Sequence, residues 1–97
     1  MTLLKIKIEK GFKKDIKRDE KSGKYSQLDF ETLKHIIKTL QEKKPVDPIH
    51  ERHSLHGTLR GYEAVHVKND WVLIFKVEKL FLILAMIGTH SQIYKEN

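Results

Sequence analysis

The spacing of apolar residues changes several times along this chain, and each change marks an element. Leu4, Ile6 and Ile8 alternate with Lys5 and Lys7, the period of a short edge strand with one buried face. After Gly11, Phe12 and Ile16 stand four apart among lysines and aspartates, which predicts a short helix over the sheet, ending before Ser22-Gly23. A second helix is written more clearly. Ser26 can cap it with Asp29 three positions on, and Phe30, Leu33, Ile36, Ile37 and Leu40 follow at helical spacing until Pro45 and Pro48 stop it. From Pro45 to Arg60 the period vanishes and the residues turn polar and histidine-rich, as in a surface loop. Three strands are then predicted, at 61–67, 71–77 and 80–87, with turns at Asn69-Asp70 and Glu78-Lys79. In the last of them parity puts Leu80, Leu82, Leu84 and Met86 on one face and Phe81, Ile83, Ala85 and Ile87 on the other. With both faces apolar, that strand belongs inside the sheet.

A strand, two helices and three successive strands make an α+β fold. The helices pack on one face of a mainly antiparallel, twisted sheet and leave the other face partly open, with a short turn or helix expected at the C-terminal end. Ninety-seven residues suit one domain, 1–97. The chain has no cysteine, which excludes disulfides, thiolate metal sites and a thiol nucleophile, and fits a reducing compartment. Its longest apolar run, 80–87, is far below the roughly 20 residues needed to span a bilayer, and Met1–Glu9 carries lysines where a signal peptide needs apolar residues. A cytoplasmic protein without membrane contact is expected.

Charge alters this picture in one respect. Residues 1–44 hold 13 lysines and arginines against 7 acidic residues, whereas residues 45–97 hold 6 against 6, so the whole +6 excess lies in the first half. That asymmetry suits a polyanionic partner, although lysines on solvated helix faces also serve solubility, and charge alone does not separate the two.

The chemistry lies with histidine. Of six histidines, His50, His53 and His56 fall in the loop, His66 at a strand end and His90 just past the last strand, so five could converge on one side; His35 lies on the second helix and is set aside as a surface residue. Imidazoles titrate near neutrality and can serve as base and acid. The three-residue spacing of His50, His53 and His56 lacks the cysteines and tight ligand pairs of structural zinc sites, and Asp47, Glu51, Glu63 and Asp70 are too scattered for a two-metal centre, so neither metal nor organic cofactor is expected. No Gly-rich phosphate loop or Gly-x-Ser-x-Gly elbow occurs. The remaining chemistry is one in which the substrate brings its own nucleophile. RNA does so through its 2′-hydroxyl, and the enzyme need supply only a base, an acid and positive charge.

At this point the residues resemble a known family. The run from Arg52-His53-Ser54-Leu55-His56-Gly57 through Arg60-Gly61-Tyr62, Ala64-Val65-His66-Val67, Asp70-Trp71-Val72-Leu73-Ile74-Phe75-Lys76 and Gly88-Thr89-His90 is similar to the YafQ branch of the RelE-type toxins; Phe12-Lys13-Lys14-Asp15 and the Pro45-to-Pro48 segment fit it too. The resemblance implies a β-α-α-β-β-β RelE-like fold. It further implies an endoribonuclease that cuts messenger RNA on the ribosome without a cofactor, inhibits translation, and is held inactive by a cognate antitoxin. Carried over by position, it implies His90 as general acid, with His53, His66 and Asp70 sharing deprotonation of the 2′-hydroxyl and positioning, the base among them left open. Trp71 and Tyr94 would contact substrate, with Arg52, Arg60, Lys68 and Lys76 as candidate phosphate-binding cations. Each aromatic has a second role open to it: Trp71 begins an apolar strand and suits the core, and Tyr94 could simply dock the tail. Asp70 could likewise be only a turn residue. One position departs from the family: four residues before His90, where an arginine is usual, stands Met86, whose thioether cannot grip a phosphate. An attenuated toxin that still binds ribosome or antitoxin is therefore an alternative, and a gyrase-targeting toxin on the same scaffold is the more distant one, since that branch does not need the histidines.

Overall fold

The structure is a computed structural model that describes residues 2–94. Strand β1 (Lys5–Ile8) leads into α1 (Lys10–Ser22), which Gly23 closes in a left-handed conformation at φ 75°. Helix α2 (Gln27–Gln41) begins with the expected capping box, Ser26 and Asp29 each accepting a backbone N–H of the other. The histidine-rich segment is more ordered than a plain loop. Two short 3-10 turns, Pro48–His50 and Gly57–Leu59, flank a two-residue strand β2 (His53–Ser54), which two residues of alternation could not announce. The chain ends with β3 (Glu63–Lys68), β4 (Trp71–Glu78), β5 (Phe81–Gly88) and a single-turn helix α3 (His90–Ile93).

These strands form one mixed sheet in the order β1-β5-β4-β3-β2, antiparallel throughout except that β1 runs parallel to β5 at the edge. The two helices cover one face. Phe12, Leu33, Ile36 and Leu40 meet Val65, Leu73, Phe75, Leu82, Leu84 and Ile87 in the main core, the largest favourable contribution to the fold. Strand β1 departs from the predicted one-faced pattern: only Leu4, just before it, is buried, while Ile6 and Ile8 remain exposed. The second turn falls on Lys79 and Leu80, one residue later than expected, with Lys79 at φ 57°.

The opposite face is smaller and less covered. Ala64, Val72, Ile74 and Ala85 form its buried centre, fringed by Leu55, Tyr62, Met86 and Ile93. Here the parity assigned to β5 fails, because the β4–β5 register slips between Ile74 and Phe75, so that Ile74 faces Met86 while Phe75 faces Leu84. Ala85 is the extra residue of this β-bulge. Past it the faces exchange, so Ile87 joins Leu82 and Leu84 in the main core and Met86 turns to the open face.

Candidate active site

Strand register brings the distant histidines together. On β4, Val72 pairs with Gly88 on one side and His66 on the other. Two residues back from Val72 is Asp70, and two residues on from Gly88 is His90, so the antiparallel pairing carries these two to the same end of the sheet. His66 shares the open face with Ala64, which pairs with His53 of β2. The result is a row of rings: His53 and His66 have centroids 6.1 Å apart, His66 and His90 5.3 Å, and Tyr94 stacks on His90 at 5.8 Å.

Each ring has an oxygen beside Nδ1. His90 Nδ1 bonds the Asp70 carboxylate, which also accepts the His90 backbone N–H at 2.9 Å. That backbone bond, reinforced by the imidazole, lowers the Asp70 carboxyl below its ordinary range. His66 Nδ1 lies 3.1 Å from Glu51 Oε1, and His53 Nδ1 is 2.8 Å from the Glu51 carbonyl oxygen. In all three the Nε2 atom is left to exchange a proton. His50 packs behind the row, its Nδ1 2.7 Å from the His66 carbonyl oxygen. His56 stands exposed ahead of the second 3-10 turn, outside these ring contacts, and His35 is exposed on α2. Glu51 was missed as a site residue: sequence showed it only as one scattered carboxylate, and its role depends on a left-handed turn at φ 48° that nothing in its neighbours signals.

Helix α1 steadies the end of β5 from below. Asp15 accepts the Ile87 N–H at 3.0 Å, and Arg18, paired with Asp15 and Asp19, donates to the Ile87 carbonyl at 2.8 Å. Thr89 and Gln92 then cap α3 reciprocally, which sets the first turn on which His90 sits.

Several expected substrate contacts are redirected. Trp71 is 1% exposed; its ring stacks on Tyr25 at 4.1 Å, and its indole N–H donates to buried Asp19 at 2.8 Å. It is a core residue, unable to stack on a base, because alternation along β4 puts Trp71 on the same helix-covered face as Leu73 and Phe75. Arg52 is held bidentately by Glu63 and lies over Phe75 of the main core, facing away from the histidines. A bulge in β3 after His66 turns Lys68 to the helix side, where it pairs with Asp29 at 3.0 Å. On the open face Lys76 sits over the Tyr62 ring at 4.9 Å, and Arg60 is exposed with no ion pair among the described residues. No group of three or more His, Asp or Glu among the described residues is arranged to hold a metal ion, and no helix among them is long and apolar enough to cross a membrane.

A five-stranded mixed sheet with two helices on one face matches the architecture of YafQ and RelE-like toxins. The chain belongs to the family of bacterial toxins of type II toxin-antitoxin systems called YafQ, whose family model matches residues 4–95. It is 31% identical over 84 residues, 86% of this chain and 87% of the relative, to the mRNA interferase toxin YafQ of Escherichia coli. Among solved structures it is similar to YafQ in the E. coli DinJ-YafQ complex, at 29% identity and TM-score 0.81 over 94% of this chain and 98% of that one. It is also similar to a copper-bound mutant toxin from Helicobacter pylori, at 32% identity and TM-score 0.85 over 95% of this chain and all of that one.

Proposed function

We propose that this chain is an endoribonuclease toxin that cuts messenger RNA on the ribosome by metal-independent acid–base chemistry and is silenced by an antitoxin. The observation that carries the proposal is the contact row His53–His66–His90, with Asp70 clamped to His90. A base takes the 2′-hydroxyl proton, the 2′-oxygen attacks the adjacent phosphorus, and the 5′-oxygen leaves with a proton from His90. Products are a 2′,3′-cyclic phosphate and a 5′-hydroxyl. Asp70 acts here as a positioning group: its carboxylate is taken twice by His90, and its lowered affinity for protons makes it a poor base. The base is then His53 or His66. Tyr94, stacked on His90, steadies that ring or meets a neighbouring nucleotide, and exposed Arg60 and open-face Lys76 are the candidate cations left to meet phosphate. The names of the E. coli relative and of the DinJ-YafQ complex support both activity and antitoxin partner.

The position of Met86 supports a second reading, weak cleavage. The bulge puts its thioether on the open face, two residues before Gly88, where a cation would serve the developing charge. A translation extract with a defined message separates the cases. The purified chain should yield discrete 3′ ends within the message and His90→Ala should not. A message left whole, with translation unaffected by either protein, would overturn the proposal.

A further inference from the structure

We propose that Glu51 is the positioning residue that fixes His66 as proton acceptor and thereby makes it the general base; the catalytic half of this statement rests on the function proposed above. Glu51 ends the 3-10 turn Pro48–His50 in the left-handed conformation, which a non-glycine residue keeps only when its surroundings hold it there. Its N–H donates to the Pro48 carbonyl at 3.0 Å, its carbonyl accepts from His53, and its carboxylate oxygen Oε1 lies 3.1 Å from His66 Nδ1, a charge contact beside that nitrogen. His50, one residue earlier, is bonded through Nδ1 to the His66 backbone, so the turn is tied to β3 twice.

A neutral imidazole carries one N–H. An acceptor facing Nδ1 keeps the proton there and leaves the Nε2 lone pair open. Glu51 does this for two rings with different acceptors. His53 faces a neutral carbonyl, whereas His66 faces a negative charge that stabilises the imidazolium formed once Nε2 has taken the 2′-hydroxyl proton. The O–H bond of the substrate breaks, the Nε2–H bond of His66 forms, and the proton lost by His90 to the leaving oxygen balances the step. His66 also stands mid-row, touching both other rings, and its side chain is only 22% exposed. Glu51 at 68% exposure anchors no core, so it can be changed without loss of the fold.

The test uses the full chain as Glu51→Ala and Glu51→Gln. Ring ¹⁵N shifts of His66 in the free protein should show the Nδ1–H tautomer in the parent, a tautomer mixture in the alanine variant, and the parent pattern in the glutamine variant, whose amide oxygen still accepts. In the extract, Glu51→Ala should lower kcat about tenfold to a hundredfold with KM within about twofold, and Glu51→Gln should fall between. Since the carbonyl bonded to His53 survives both substitutions, the loss belongs to His66. Identical His66 shifts in parent and Glu51→Ala, an unchanged kcat, or a loss confined to KM would each overturn the assignment. If the parent leaves the message whole, the proposed function and the base assignment fail, and the ring shifts still decide whether Glu51 positions His66.

Discussion

Asp70 is an exposed carboxylate tied to one ring of the candidate site. It accepts two N–H groups from His90, the backbone one contributing most to its lowered pKa. A carboxyl depressed below its ordinary 3.8 stabilises the fold at pH values above 3.8, and that contribution is lost as pH falls through the folded value. Any stability gap between the parent and Asp70→Asn should therefore be present at neutral pH and narrow on acidification below about pH 4, as read by denaturant unfolding across that range. The same variant should lose at least about tenfold in kcat, because a neutral amide can still accept the Nδ1 proton but no longer stabilises the protonated ring from which His90 delivers its proton. A gap that widens in acid would contradict the sign. Met86 allows the reverse experiment. With its side chain on the open face, Met86→Arg should raise cleavage by on the order of a hundredfold to a thousandfold at unchanged fold, the usual worth of one preorganised charge-stabilising group. Equal rates in the two forms would mean that Arg60 or Lys76 already supplies the charge.

At the level of elements, the sequence made legible whatever depends on local periodicity or capping chemistry. The Ser26–Asp29 box, the Gly23 stop, the edge position of β1 and the inner position of β5 all follow from neighbours in the chain. What it hid depends on register. A single bulge opposite Ile74 and Phe75 moved Met86 across the sheet, and another after His66 turned Lys68 toward the helices. Such slips leave little trace in composition, since the bulged Ala85 and Val67 are ordinary strand residues. Glu51 was illegible for a related reason: its contacts with His53 and His66 run from a strained turn to rings that only the folded chain brings near. The histidine row was suggested by the positions of the histidines and by family resemblance, and its geometry follows from three pairings, Val72 with Gly88, Val72 with His66 and Ala64 with His53. Trp71 tests this assignment of faces. Trp71→Phe keeps the ring against Tyr25 and Phe30 but removes the donor to Asp19, a carboxylate only 3% exposed, and should cost about 1–3 kcal/mol in denaturant unfolding. Cleavage of bound message should persist. A loss of RNA affinity without a loss of stability would instead put the indole in contact with substrate.

Across the whole molecule, the basic excess and the imidazole row occupy different territory. All +6 of the net charge resides in residues 1–44, which form β1, α1 and α2, whereas the row is built by β2, β3 and the segment after β5 on the face the helices do not cover. Field strength at the reacting phosphate is therefore not what the lysines of α1 chiefly provide. Their reach is long-range, and we propose that they govern encounter with a polyanionic surface and its dependence on salt. Lys13 and Lys17 are exposed along α1 beside Ile8, Phe12 and Ile16. Reversing both to glutamate should slow association with ribosomes and flatten the salt dependence of binding, by about one unit of log–log slope for each phosphate contact removed. The cleavage rate within a preformed complex should stay at the parent value, measured by single turnover after mixing at low salt. Were the bound rate to fall while the salt slope held, the helix charges would be acting on the reaction itself, and the division of labour between the two faces of the sheet would have to be abandoned.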